Sequence, residues 1–158
     1  MFGGAYDSCS NFDRPKYGVL NLTGDIRGVQ VARSYGAFVL TLKPHVRYRT
    51  TFFGKDTGGF AKDGALATHD LYAHVLQSYR DEELRAVLDV HRISGGPSTT
   101  IRVYKEIQIH GPICLATDIQ TVSVPGKETE ASCKLRKDVT QFQRMTECAV
   151  MWQGDLAG

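Results

Sequence analysis

The sequence predicts an α+β domain built on a mostly antiparallel sheet with a few helices, and three observations carry that reading. Short apolar and β-branched runs, each bounded by Gly, Asn, Asp or Pro, recur as far as Phe53. From Thr68 the apolar residues take helical spacing, and β-type runs return after the Ser94-Gly95-Gly96-Pro97-Ser98 break. Helices grouped between two sets of strands, instead of alternating with single strands, favour a segregated fold over a doubly wound one.

In chain order, residues 17–22 (Y-G-V-L-N-L) and 35–42 (Y-G-A-F-V-L-T-L) are the first two strands, with a simple turn over Gly24–Gly28 between them. Residues 46–53 (V-R-Y-R-T-T-F-F) alternate basic with aromatic or branched positions and form a third strand, the most basic element of the chain. Leu71, Val75, Leu76 and Tyr79 mark a helix of about three turns, with Thr68 as its N-cap. A second short helix starts near Asp81. There Asp81, Glu82 and Glu83 suit the positive end of the helix dipole, and Leu84, Val87 and Leu88 make the apolar stripe. Residues 100–109 and 113–122 are strands joined through His110-Gly111-Pro112 as a hairpin. Residues 129–150 fit helix or strand, helix being the nearer match.

Composition narrows the classes of function. A chain of 158 residues with 42% hydrophobic and 23% charged content suits a single domain over residues 1–158 with one core. A formal charge of +2 gives no strong nucleic-acid signal. No apolar run approaches the ~20 residues that span a bilayer, so no membrane partner is expected. Cys9, Cys114, Cys133 and Cys148 form no C-x-x-C pair, and the amino terminus lacks a signal peptide's basic and apolar regions. Reduced thiols and a cytoplasmic location follow as expectations. The histidines at 45, 69, 74, 91 and 110 show no metal-ligand spacing, so no metal is expected. The opening M-F-G-G-A-Y-D reads as a loop, which suggests an amino-terminally truncated version of a longer domain.

The run Val103–Pro112, V-Y-K-E-I-Q-I-H-G-P, carries the densest chemistry. Alternation puts Glu106, Gln108 and His110 on one face of a strand. Burying three hydrogen-bonding groups without partners would cost roughly 1–3 kcal/mol each, so the strand reads as the wall of a site. A carboxylate held there can orient a hydroxyl, act as a base or stabilise positive charge; an amide beside it both donates and accepts. Arg49, Thr50 and Thr51 make a second candidate, because a guanidinium fork and two hydroxyls suit an anionic ligand. Arg14 and Tyr17, around Pro15 and Lys16, offer a phosphate contact and a stacking surface. Each of these sets also has a plain structural reading, as charged edge, solvated loop or core tyrosine. Gly54–Gly59 resembles a phosphate loop only loosely, since it lacks the G-x-x-x-x-G-K-[ST] spacing.

F-G-G-A-Y-D, R-P-K-Y-G-V-L-N-L, R-T-T-F and E-I-Q-I-H-G-P resemble, in the same order, blocks of an uncharacterised family of bacteria and some eukaryotes, over about residues 2–120. That family's longer members carry an upstream Y-R-S-Q-F-E-T-G block. More distantly, Arg49-Thr50-Thr51-Phe52 and Glu106–Pro112 resemble the middle motif and the glutamate strand of ADP-ribosyltransferases of the arginine–serine–glutamate type.

That resemblance implies an ADP-ribosyltransferase-like fold lacking its first strand. It also implies NAD as substrate, held by Arg49, Thr50 and Thr51 with Tyr17 or Arg14 as further contacts. The reaction it implies is cleavage of the nicotinamide–ribose bond through an oxocarbenium-like transition state. Glu106 would be the catalytic carboxylate, and Gln108 and His110 would position the substrate. Ser94–Thr100 would be the target-recognition loop. Tyr104 stands where a glutamate or glutamine is expected two positions before Glu106, which argues against arginine as acceptor; the acceptor stays unassigned. E-I-Q-I also resembles a strand of alarmone synthetases, which implies pyrophosphoryl transfer to a purine nucleotide as an alternative. An inactive, non-enzymatic binding module is another.

Overall fold

The computed structural model describes residues 4–54, 66–92, 105–126 and 130–156. Along the chain run β1 (Lys16–Val19), β2 (Val39–Leu42), β3 (Thr50–Phe52), helices α1 (Ala73–Leu76) and α2 (Asp81–Arg92), and β4 (Glu106–Ile109). After these come α3 (Leu115–Asp118), β5 (Ile119–Val124), α4 (Glu130–Thr146) and β6 (Ala149–Trp152). Three 3-10 segments, Gln30–Tyr35, Pro44–Arg49 and Gln153–Leu156, complete the described elements. The α+β class holds. No described helix is long and apolar enough to cross a membrane.

The strands form two three-stranded sheets. One has the order β1-β4-β3 with both pairings antiparallel; the other is β2-β5-β6, antiparallel between β2 and β5 and parallel between β5 and β6. The expected hairpin at His110–Pro112 is therefore overturned: β4 and β5 belong to different sheets. Gly111 takes a φ of 78°, open to glycine without strain, and redirects the chain. The turn of α3 then separates the strands.

Other expectations change at the level of local chemistry, and of the strand expected over 113–122 only the part from Ile119 is extended, since Leu115–Asp118 forms α3. Residues 46–49 are not strand, because Pro44 at the first helical position starts a 3-10 turn. The Thr50 hydroxyl closes that turn on the Val46 carbonyl at 2.9 Å, leaving Thr50–Phe52 as the only extended part. The helix expected from Thr68 shrinks to α1. Its N-cap is Tyr72, with no side-chain cap, and the Ser78 hydroxyl bonds back to the Val75 carbonyl at 2.6 Å just past its end. The 129–150 segment divides into helix α4 and the start of β6, so both readings hold in part. Helix α2 begins where expected, and its Glu83 accepts from the Arg80 backbone N–H at 3.1 Å, half of a capping box. The residues expected as strand over 100–104, and the Ser94–Thr100 loop, lie outside the described residues.

Each sheet has its own apolar cluster, where the sequence suggested one core. Ile119, Val122, Val124 and Cys148 are buried under the Leu135, Val139 and Phe142 stripe of α4. Ala67, Val75 and Tyr79 are buried with Leu22, Phe52, Leu76 and Leu84 beside the β1-β4-β3 sheet. Lys105, only 1% exposed, threads into the second cluster. Its ammonium donates to the carbonyls of Gly54 and Ser78 at 2.9 Å each and to the Ser78 hydroxyl, and it lies 4.3 Å from the centre of the Tyr79 ring.

Asp118 joins the two sheets. Arg49, entering β3, donates to Asp118 Oδ2 at 2.8 Å and to the His110 carbonyl, past β4, at 2.8 Å. Asp118 itself, 7% exposed, leads into β5, and its carbonyl accepts the Lys43 N–H that follows β2. The Cys114 backbone N–H and the His45 ring bond the same carboxylate at 2.8 and 2.9 Å. These hydrogen bonds, with the Arg49 guanidinium, hold the Asp118 carboxyl below its ordinary value of 3.8. A carboxylate with a lowered folded pKa contributes stability above its unfolded pKa and loses that contribution as pH falls through the folded value. Asp118→Asn should cost about 2 kcal/mol by urea denaturation at neutral pH. It should also flatten the acid limb, so that the two proteins converge as Asp118 protonates; parallel acid limbs would show that the carboxylate is not the joint.

Candidate functional site

Register sets one face of the β1-β4-β3 sheet. Tyr17 and Thr51 both lie opposite Gln108, so Tyr17, Gln108 and Thr51 form a row across three strands, with Glu106 and His110 on the same side of β4. The opposite face carries the Gly18, Ile107 and Phe52 row, of which Phe52 packs into the second apolar cluster. The alternation read from the sequence holds for Glu106, Gln108 and His110.

These polar groups are connected. The Gln108 amide Nε2 donates to Glu106 Oε1, and the Thr51 hydroxyl donates to Gln108 Oε1 at 3.0 Å. Thr51 Oγ1 lies 2.8 Å from His110 Nε2, and His110 Nδ1 lies 2.6 Å from the Tyr6 hydroxyl. Gln108 is 0% exposed and Glu106 4%, so the inner end of this chain is cut off from water. Tyr6, at the outer end, is half-buried.

Glu106 sets the sense of the inner bonds. Its carboxylate accepts only, so the Gln108 amide turns its NH₂ toward Glu106 and its carbonyl toward Thr51. That carbonyl also accepts only, so the single Thr51 proton goes to it. The Thr51 oxygen then accepts from His110 Nε2–H, and His110 Nδ1 meets the Tyr6 hydroxyl in a sense set by the ring's protonation. Desolvation by burial lowers the His110 pKa from its ordinary 6.5, which favours the neutral ring.

Tyr6 borders an open cleft of about 470 Å³, whose walls include Asp7, Arg14, Pro15 and Tyr17. The volume lies within the roughly 300–1,000 Å³ of small-ligand sites. Tyr17 is 59% exposed and Arg14 and Asp7 are exposed, so the cleft presents an aromatic face, a guanidinium and a carboxylate to solvent.

The sequence-derived candidates therefore divide. Glu106, Gln108, His110 and Thr51 share the relay, and Arg14 and Tyr17 share the cleft at its outer end. Arg49 and Thr50 do not join them. The Arg49 guanidinium is engaged by Asp118 and the His110 carbonyl, and the Thr50 side chain closes the preceding turn. The glycine-rich stretch after Gly54 lies outside the described residues.

Tyr6, Asp7, Asp118 and Lys105 were not singled out from the sequence. For Tyr6 and Asp7 the one signal was their place in the F-G-G-A-Y-D block; for the others the contacts that matter are distant in the chain. Among the described residues no group of three or more His, Cys, Asp or Glu converges as a metal site. Comparison with models of protein families and with curated proteins gives no match.

The relay makes Thr51 and Thr50 unequal. Thr51→Val should cost about 1–3 kcal/mol, because Gln108 Oε1 loses its donor and His110 Nε2–H its acceptor, whereas Thr50→Val should cost about 1 kcal/mol for one local bond. Urea midpoints of the two variants check this. Equal losses would mean that the inner network does not form.

Proposed function

We propose that the cleft takes NAD as substrate and that the chain transfers its ADP-ribosyl group to an acceptor or hydrolyses it. The observation that carries this reading is the relay from Glu106 to Tyr6. It links a buried carboxylate to the wall of an open cleft of about 470 Å³ furnished with Arg14 and Tyr17.

The roles follow from the chemistry of each wall. The Arg14 guanidinium forks onto the diphosphate, and the exposed Tyr17 ring stacks on a planar base. Asp7 accepts hydrogen bonds from ribose hydroxyls. Arg49 and Thr50 leave the set that holds the nucleotide, since their side chains are committed inside the fold. Glu106 lies too deep to meet a bound ribose in this arrangement, so it acts as a positioning residue through Gln108, Thr51 and His110. Its fixed negative charge favours the positive charge that builds at the ribose carbon as the bond to nicotinamide breaks.

The low exposure of Glu106 also supports a second reading, a non-enzymatic nucleotide-binding module with the same Arg14 and Tyr17 contacts. Glu106→Gln separates the two, because the glutamine carbonyl still accepts from Gln108 and preserves the packing. On the enzymatic reading the variant keeps its melting temperature and its NAD affinity by calorimetry. Its nicotinamide release falls by about 100-fold or more, in kcat and not in KM. Arg14→Ala should do the reverse, weakening NAD binding by about tenfold. Binding without release by the unaltered protein establishes the module; release unchanged by Glu106→Gln removes Glu106 from the chemistry. Guanosine nucleotides with Mg²⁺ in the same assay test the alarmone-type alternative, which pyrophosphoryl transfer would establish.

A further inference from the structure

The formal +2 of the whole chain conceals an uneven distribution of charge. Residues 130–146, the span of α4, hold four basic and two acidic side chains, so this one helix carries as much net charge as the entire chain. Its apolar stripe of Leu135, Val139 and Phe142 packs over Ile119, Val122 and Val124. The opposite face is exposed, and there Arg136, Lys137, Thr140, Gln141 and Arg144 line an open groove of about 470 Å³ that includes no carboxylate among the described residues. Helical spacing explains the set, because positions i, i+1, i+4, i+5 and i+8 share one face. Asp138 is turned about 100° away from Lys137 around the helix axis.

Among the described residues no ion pair reaches Arg136, Lys137 or Arg144. Arg136 lies over the Trp152 ring at 4.4 Å, a contact that holds a guanidinium in place while its N–H edge stays available to an anion. The Thr140 hydroxyl is committed to the Arg136 carbonyl at 2.8 Å, so the donors of the groove are the three cations and the Gln141 amide. Arginine, lysine and glutamine are among the side chains that contact nucleic-acid phosphates and sugars. Arg144 stands eight positions after Arg136, about 12 Å along the axis, a span that reaches successive phosphates of one strand. We propose that this face of α4 docks on the phosphate backbone of a nucleic-acid duplex without reading its sequence, a role independent of the nucleotide cleft. The groove favours a duplex over a single strand because its described lining holds no aromatic ring on which an unpaired base could stack. A lipid surface fits less well, since the apolar stripe that would enter it faces the core.

Fluorescence anisotropy of a labelled DNA duplex of about 20 base pairs, titrated with the full chain, tests this. The duplex should bind with a Kd of roughly 10⁻⁴ M or tighter at about 50 mM salt. Three cations on phosphates give a slope of log K against log salt of about −2.7, or about a 40-fold loss of affinity between about 50 and 200 mM. Lys137→Gln combined with Arg144→Gln leaves the contact between Arg136 and Trp152 intact, should keep the melting temperature, and should bring the slope to about −0.9. Arg33→Gln, which removes an exposed cation outside the groove, should leave the slope unchanged. A duplex of scrambled sequence should bind within about twofold, because phosphate contacts carry no sequence information, and greater discrimination overturns the proposal. No binding at about 50 mM salt, or a slope that the double variant changes no more than Arg33→Gln does, also overturns it. So does polyglutamate that displaces the labelled duplex as well as unlabelled duplex of equal charge, which would make the partner of this face an acidic protein segment.

Discussion

The arrangement depends first on one carboxylate that belongs to neither proposed chemistry. Asp118 receives Arg49 from the strand-entry side of one sheet, His45 from the turn before it, and the Cys114 backbone from its own α3 turn. Its main chain meanwhile starts β5 in the other sheet and accepts from Lys43. An ion pair of this kind is costly to break from one side, because the surviving partner keeps its desolvation penalty without the compensating bond. Since Arg49 also grips the His110 carbonyl at 2.8 Å, the same joint fixes the backbone from which the His110 ring reaches Thr51 and Tyr6. A residue that holds no ligand thereby sets the site's geometry.

A second carboxylate supplies direction. Glu106 and Gln108 are buried in a face that an ordinary sheet would fill with aliphatic side chains. The face tolerates them because each polar atom along the relay meets a complementary one, and a fully satisfied chain in low dielectric is both stiff and polarised. Four contacts in sequence link Glu106 to a tyrosine that borders a cleft. Lys105, the residue just before Glu106, points to the other side of the sheet and ties Gly54 and Ser78. Adjacent positions at the start of β4 thus hold the two faces by different means.

The fold was legible where local chemistry decides. The acidic start and apolar stripe of α2, the β character of Glu106–Ile109 and the turn between Gly24 and Gly28 all follow from propensity, dipole and glycine conformation. It was misread where a single side chain outweighs a pattern. Pro44 and the Thr50 hydroxyl turn an alternating V-R-Y-R into a 3-10 segment, and the Ser78 hydroxyl acts against the end of a run with helical spacing. The site divided in the same way. Glu106, Gln108 and His110 were visible because alternation alone aligns them. Arg49 looked like a ligand-binding arginine because nothing near it in the chain announces Asp118, sixty-nine positions away.

The sequence by itself determined the α+β class, the polar face of β4 and the kinds of group available to a ligand, because these depend on residue type and on a period of two along a strand. Tertiary structure decided which groups meet. It divided the strands between two sheets, withdrew Arg49 and Thr50 into the frame, and brought Tyr6 across one hundred and four positions to His110. Hydrogen-bond partnership is a property of the assembled chain of contacts, so no residue in isolation reveals that Tyr6 meets His110.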